Sequence, residues 1–452
     1  MDQSAILTLV PDWLVPVESP PIFRGYLVLN QGRIEFVGND LPAKFNPIRQ
    51  HSFPNVAILP GLINSHCHLE FSDLTAPIPV GESFPNWIEN VIDHRTALRG
   101  TPEQLAKNRQ SAIEQGIEES YAAGVRWIID MTTSPWNPDW IDSAIANLST
   151  EARFFNPAFE NVPIVVQPCF EIIDITRQRM EQTLGFANEQ FSAPEGNARG
   201  HTGFAPHAPY TASIFITQHC IEKSKQEKRI VSMHIAESID ELKWLTEHSG
   251  AFSKLLSPIM DRNYFKSLGN IEQHLQGLSQ AWRALVVHGN YLSTHELETL
   301  AQHSMSMAIV HCPRTHHYFG HQHPATNRYP LAERLKAGVQ HLLGTDSRAS
   351  NPDINIWREA QFVRSNHPNV SSHQILRMIT TDAAGMLALS DRYGALQNGR
   401  PASLTAIQMG ESRSTRDDAN KLYDTILANE TRAYPLESLI SQIANSTHFT
   451  SK

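Results

Sequence analysis

Six stretches of this chain share one pattern, an apolar run that stops at a histidine, aspartate or glutamate. They are LPGLINSHCHLE (59–70), GFAPHAPYT (203–211), VSMHIAES (231–238), LVVHGN (285–290), AIVHCPRTH (308–316) and HLLGTDSRASN (341–351). A short apolar run bounded by Gly, Pro or polar residues reads as a buried strand. A metal-capable residue at the end of several successive strands is what the C-terminal rim of a (β/α)8 barrel presents. One such strand end carries little information. Six in order along one chain point to a metal site assembled at a single barrel mouth.

The remaining sequence is consistent with such a barrel. Strands are expected at 56–66, 125–132, 163–173, 200–207, 229–236, 284–289, 305–311 and 339–346, with helical patterns between them. Strands alternating with helices imply parallel pairing. The segment 101–124 is one such helix, with Thr101 as N-cap, Pro102 in the first turn and Gly124 as terminator. Before the barrel, residues 1–58 carry turn-punctuated strands, and YLVLNQGRIEFVG (26–38) reads as a hairpin turning at Asn30, Gln31 and Gly32. After it, residues 390–452 return to β character, with YGALQNGRPASLTAI (393–407) leading into a strand. The fold class is therefore α/β: a TIM barrel at 59–389 with a small β-sandwich built from 1–58 and 390–452. Segments 72–100 and 134–162 are expected as rim loops.

Composition narrows the partners. With 41% apolar and 18% charged residues over 452 positions, the chain has material for a sizeable core. A net charge of −9 argues against nucleic acid or an anionic membrane and leaves a small-molecule substrate. The cysteines Cys67, Cys169, Cys220 and Cys312 show no paired spacing, so they are expected reduced, in a cytoplasmic protein. The N-terminus lacks the pattern of a signal peptide. No apolar run approaches the roughly 18 residues of a membrane span.

His66 and His68 alternate along a strand, so both side chains face one side. His234 ends the fifth strand, His288 the sixth and Asp346 the eighth. Three histidines, an aspartate and water suit one divalent ion, Zn²⁺ first, with Fe²⁺ as the alternative. Glu237 lies three residues past His234, where it can reach a bound water; a first-turn helix acid favoured by the dipole is the plainer reading. His207, between prolines, is a substrate-binding residue or a buried structural one. Arg95 and Arg314 are candidate anchors for a substrate carboxylate, or ordinary loop contacts. His311, His316 and His317 cluster after the seventh strand and are candidates to face the substrate. Ser347 and Asn351 shape the loop after Asp346.

Together PGLINSHCH, PHAPYT, HIAES, VHGN and GTDSRASN resemble the amidohydrolase superfamily, in its cytosine-deaminase-like and chlorohydrolase-like branch, over nearly the whole chain. The resemblance implies a metal held at the positions of His66, His68, His234 and Asp346. It implies proton transfer at Glu237 and His288, with Asp346 helping to orient the reacting water. Two-metal hydrolases of this architecture carry a carboxylated lysine on the fourth strand; GHTGFAPHAPY has none, which implies a single ion. Segments HLEFS (68–72), WIENVIDHR (87–95), AESIDELKWL (236–245) and HCPRTHHYFG (311–320) are similar to the 6-amino-6-deoxyfutalosine deaminases of menaquinone synthesis. That likeness implies hydrolytic deamination of an aminopurine nucleoside. Deaminases of guanine, oxidised guanine or S-adenosylhomocysteine-type substrates and triazine chlorohydrolases share the metal site and remain alternatives. A non-catalytic scaffold is the alternative of another class, although every ligand position is present. Two positions depart from the pattern: Ser403 stands where the superfamily usually has Asp, and HHYFGH adds bulk after the seventh strand. A homodimer is expected by analogy with this architecture.

Overall fold

The computed structural model describes residues 6–152, 163–192, 200–260, 262–321, 328–410 and 418–441. Eight parallel strands pair in chain order: β1 (Leu62–Cys67), β2 (Val125–Thr132), β3 (Val165–Ile172), β4 (Gly203–Pro206), β5 (Ile230–Ile235), β6 (Arg283–His288), β7 (Met307–His311) and β8 (His341–Leu343). The ring closes where Cys67 bridges Asp346 and the His66 carbonyl accepts from the N–H groups of Thr345 (3.0 Å) and Asp346 (3.1 Å). The seam of the barrel therefore lies between the strand ends that carry the first and last candidate ligands.

Every residue of β2 and β3 is buried, as expected when helices cover one face of a strand and the lumen fills the other. Along β6 and β7, Leu285, Val287, Ala308 and Val310 share one apolar cluster, while Ala284, Val286, Met307 and Ile309 belong to the cluster under the helices. Helix Pro102–Ala122 starts and stops as its sequence dictates. The Thr101 hydroxyl accepts from the Gln104 N–H, Pro102 opens the first turn, and Gly124 follows with φ +82°. Among the described residues no helix is long and apolar enough to cross a membrane, and the four cysteines are free and buried.

Four boundaries differ from the expectation. The segment expected as a rim loop at 72–100 contains helix Phe84–Ala97, opened by the Ser83 hydroxyl, which accepts from the Asn86 N–H. The strand expected at 56–66 breaks at Gly61: Gln50–Pro60 belongs to a second sheet, and the barrel begins at Leu62. A Cβ at Gly61 would collide with the Arg126 side chain and sit 2.7 Å from the Ser403 carbonyl, so only glycine lets the chain cross between sheets. β4 and β8 are shorter than the segments expected for them, at four and three residues. The segment expected as a rim loop at 134–162 contains helix Pro138–Ala152, whose buried Ile141, Ala144 and Ile145 recur at helical spacing; residues 153–162 lie outside the described residues.

The second sheet joins both ends of the chain, as the sequence pattern requires. Its order is Arg432–Pro435, Leu404–Gln408, Gln50–Pro60, Ile6–Leu14, Tyr26–Asn30, Arg33–Gly38, with Ile22–Phe23 beside Ile6–Leu14. The expected hairpin turns at Gln31 (φ 52°) and Gly32 (φ 68°). The sheet curls back on itself, because Arg33 bridges Pro401 and the Ile34 N–H donates to the Arg400 carbonyl at 2.8 Å.

Arg126 of β2 clasps this sheet to the barrel. Its guanidinium donates to the carbonyls of Leu404 (3.1 Å) and Pro163 (2.8 Å) and pairs with Glu437, with the arginine side chain fully buried. Removing one partner of a buried pair strands the other charge, at roughly 3–5 kcal/mol. Arg126→Ala is expected to lose about that much stability in urea denaturation; a loss under about 1 kcal/mol contradicts the clasp.

Candidate metal centre and active site

The strand ends converge on one ring of imidazoles. His66 stands 4.9 Å from His234, 5.0 Å from His68 and 5.9 Å from His288, centroid to centroid. Asp346 Oδ1 lies 3.6 Å from Nε2 of both His66 and His68. Two local devices aim these groups. Register shifts in the β1–β2 pairing, one of them between Asn64 and Cys67, re-aim the end of β1. On β6, alternation would send His288 outward with Ala284 and Val286; its left-handed φ of 69° turns the imidazole into the ring instead. Asp346 has φ 56° and Ala236 φ 51°, conformations that non-glycine residues hold only where their surroundings enforce them.

The donor set fits a divalent ion. His66 is fully buried and neither ring nitrogen has a hydrogen-bond partner. A buried polar atom with no partner is costly, and a metal bond removes that cost. His234 Nδ1 donates to the His207 carbonyl at 3.0 Å, which leaves Nε2 unprotonated for the ring. Asp346 Oδ2 accepts from the Ser350 hydroxyl at 2.7 Å, which leaves Oδ1 toward the histidines. Ligand atoms of His66, His68 and Asp346 lie within 4.8 Å of one another, as do those of His66, His234 and His288. Burial, reinforced by neighbouring imidazoles, holds His66, His68, His234 and His288 below the usual histidine range, which favours their neutral forms. Neutral imidazole is the form that binds metal.

Glu237 overhangs this ring. Its Oε1 lies 3.4 Å from His288 Nε2, and ligand atoms of Glu237, His288 and Asp346 form a compact group. Burial first, then the charges of Asp346 and Glu241, push its carboxyl well above the usual range. The plainer reading, a first-turn helix acid, does not describe a group that precedes the Ser238-capped helix Ile239–Glu247 and is 5% exposed.

A cavity of about 440 Å³ opens above the ring, and His68, His207, His234, Glu237, His288 and Asp346 line it. Helix Phe84–Ala97 supplies an apolar wall of Phe84, Trp87, Ile88 and Val91, and Leu255 and Ile259 face into the same space. His207 accompanies the ring at 5.2 Å from His234, its Nδ1 held by the Thr211 hydroxyl at 2.6 Å. Arg95 lines the cavity, and its guanidinium also pairs with buried Glu70, which Arg109 and Thr133 share. Burial alone would raise Glu70; the two arginines outweigh it and hold the carboxyl below the usual range.

The other sequence candidates lie elsewhere. Arg314 does not line the cavity: its Nε donates to Glu359 and its Nη2 to Asp353, both at 2.6 Å, and its backbone N–H donates to Glu359. Two carboxylates already satisfy it, so it secures the helix Pro313–Tyr318 that follows β7. His311, His316 and His317 do not line the cavity either, and His311 is stacked on Tyr329 at 3.8 Å, away from the ring.

Two lining residues escaped the sequence reading. Glu171 ends β3 after the run VVQPCF, the same pattern as the six stretches, and its ligand atom groups with His68 and His234. Arg179 stands on helix Arg177–Phe191, where nothing in the sequence separates it from a solvated arginine. Glu171, Ile173 and Arg179 also border a second cavity of about 330 Å³ that adds Thr133, Ser134 and Gln182.

Comparison with known proteins fits this geometry. The amidohydrolase family model matches residues 57–433. The aminodeoxyfutalosine deaminase of a Nitratiruptor species is 25% identical over 84% of this chain and 84% of its own length. The 5-methylthioadenosine/S-adenosylhomocysteine deaminase of Moorella thermoacetica is 24% identical over 96% and 97% of the two chains. The crystal structure of Helicobacter pylori aminofutalosine deaminase in complex with methylthio-coformycin superimposes with a TM-score of 0.72 at 19% identity, covering 93% of this chain and 96% of that one. With the matched span covering most of the chain, the protein belongs to the amidohydrolase family.

Proposed function

We propose that this enzyme hydrolytically deaminates adenine-type nucleosides whose sugar carries an extended acidic substituent, with 6-amino-6-deoxyfutalosine as substrate and futalosine plus ammonia as products. The observation that carries this reading is the meeting of Glu237 with His288 and Asp346 beside the histidine ring, at the floor of a largely apolar cavity. One Zn²⁺ held by His66, His68, His234 and Asp346 would supply Lewis acidity, lowering the pKa of a water from about 15.7 toward roughly 7.

The chain's own groups do the rest. Glu237 delivers a proton to the ring nitrogen beside the amino-bearing carbon, which makes that carbon electrophilic. His288 and Asp346 orient the attacking water and take up its proton. With His288 Nε2 3.4 Å from Glu237, a proton can pass between them. The amino group leaves protonated as the C–N bond breaks, and the ring keeps the new oxygen. His207, fixed by Thr211, holds the purine in register. Acid–base steps of this kind contribute about 10²–10⁴-fold.

Specificity is read from the walls. The apolar face of helix Phe84–Ala97 suits an aromatic appendage, and Arg179 suits its carboxylate. Arg95 is already paired with Glu70, whereas Arg179 makes no ion pair among the described residues. Arg179→Ala is expected to raise KM for a carboxylated nucleoside by about 10- to 100-fold, the loss of a charge-assisted hydrogen bond, and to leave adenosine unaffected. An equal change for both substrates removes Arg179 as the anchor.

The reading is tested by ammonia release from metal-loaded protein against aminodeoxyfutalosine, adenosine, S-adenosylhomocysteine, methylthioadenosine, guanine and oxidised guanine. Turnover of aminodeoxyfutalosine well above the others supports it. Turnover of another purine keeps the chemistry and replaces the substrate; the Moorella relative supports the thioethers as the first replacement.

A further inference from the structure

A second polar network lies behind the ring, out of reach of the cavity. Its centre is the turn that follows β6. His288 (φ 69°) and Gly289 (φ 58°) are consecutive left-handed residues, and the turn they make is what brings the His288 imidazole inward. A non-glycine residue persists in that conformation only where its neighbours over-determine it. Here they do. The Gly289 N–H donates to the Ile235 carbonyl at 2.9 Å, and its own carbonyl accepts from Arg334 Nη1 at 2.7 Å. The Asn290 carbonyl accepts from Arg334 Nη2 at 3.1 Å.

The Asn290 side chain ties this turn to Glu237. Its Nδ2 donates to the Glu237 carbonyl at 2.9 Å, and its Oδ1 accepts from His316 Nδ1 at 3.1 Å. A carbonyl can only accept, so the amide orientation follows from the network. From the other side, the Glu237 N–H donates to Glu241 Oε2 at 2.8 Å. The Glu237 peptide is thus held at both ends, once by the helix that follows it and once by the turn after the strand that carries His288.

Arg334 is the costly member. It is 2% exposed and, among the described residues, no carboxylate pairs with it. Its guanidinium also lies over the Tyr329 ring at 4.5 Å, and Nη1 donates to the Tyr329 hydroxyl at 2.8 Å, which meets His341 Nε2 at 3.0 Å. His341 Nδ1 donates to the Val339 carbonyl at 3.0 Å, so Nε2 accepts from Tyr329. A buried cation without a counter-ion is a poor device for stability alone. Its two backbone contacts fall on the two residues that follow His288.

We propose that Asn290 and Arg334 are positioning residues for the reaction, fixing the Glu237 peptide and the His288 turn in one relation. Neither lines the cavity, so neither touches substrate; both act through Glu237 and His288. The inference rests on the proposed aminopurine deamination.

The test uses full-length, metal-loaded Asn290→Ala, Asn290→Asp, Arg334→Met and Arg334→Lys. In Asn290→Asp the carboxylate still accepts from His316 but presents a lone pair to the Glu237 carbonyl. Expected is a fall in kcat of about 10- to 100-fold for both Asn290 variants and Arg334→Met, the scale seen when outer-shell partners are removed. KM, metal content and melting temperature stay near the parent values, and Arg334→Lys recovers part of the loss. Methylthio-coformycin, used as a transition-state-like probe, should lose affinity in step with kcat/KM. If Arg334→Met does not fold, Asn290→Ala decides alone. Parent-like kcat and probe affinity in folded Asn290→Ala overturn the inference, and so does a loss that follows metal loss or KM only. A parent that deaminates no aminopurine takes this inference down with the proposed function; an active parent with unaffected variants removes this inference alone.

Discussion

Glu237→Gln is expected to lose about 10²- to 10⁴-fold in kcat while keeping its metal ion and its fold. Glutamine has nearly the same shape and can still make a hydrogen bond, but it cannot give a proton to the purine and take one back. The proposed mechanism gives that exchange to this carboxyl. It is buried and faces the cavity, 3.4 Å from His288 Nε2. Its backbone N–H and carbonyl are held independently of its side chain, so the substitution leaves the local peptide in place. The measurement is ammonia release at saturating substrate, with metal analysis on the same sample. A Glu237→Gln enzyme within about tenfold of the parent contradicts the proton-transfer role. A variant that also loses its metal would place Glu237 among the ligands instead.

His66→Ala is expected to lose both metal and turnover. His66 is central to the ring: it is fully buried, both its nitrogens are unpartnered, and it belongs to two of the four candidate ligand groups. Without it, both of those groups lose a member, and the set of His68, His234 and Asp346 that remains lacks its fully buried centre. Lewis-acid stabilisation is worth several kcal/mol, so turnover should fall by at least about 10³-fold. Chelation of the parent should produce the same loss, reversed by added Zn²⁺; the same addition should not rescue His66→Ala. Retention of stoichiometric metal by this variant contradicts the assigned ligand set.

Much of this site was legible because strand ends are conspicuous in sequence. An apolar run stopping at a polar, metal-capable residue marks both the strand and the rim, and the ring of His66, His68, His234, His288 and Asp346 follows that rule. The inward turn of His288 was not legible. Strict alternation sends His288 outward; its left-handed backbone, gripped by Arg334 through the following turn, brings it in. Register shifts in β1 do similar work for the first histidine pair. Past the strand ends the rule fails altogether. Arg314 and Arg179 look alike as helix arginines, yet one is enclosed by Asp353 and Glu359 and the other lines the cavity. Glu171 obeyed the strand-end pattern and could have been found with it. The helix Pro138–Ala152 was hidden by prolines and asparagines around an apolar stripe of ordinary helical spacing.

The most direct test of the central claim is a single incubation of metal-loaded protein with aminodeoxyfutalosine in heavy-oxygen water. Hydrolytic deamination predicts one ammonia released and one labelled oxygen in each futalosine formed, with both products absent after chelation. Metal-loaded protein that releases no ammonia from this substrate or from any other aminopurine contradicts the account.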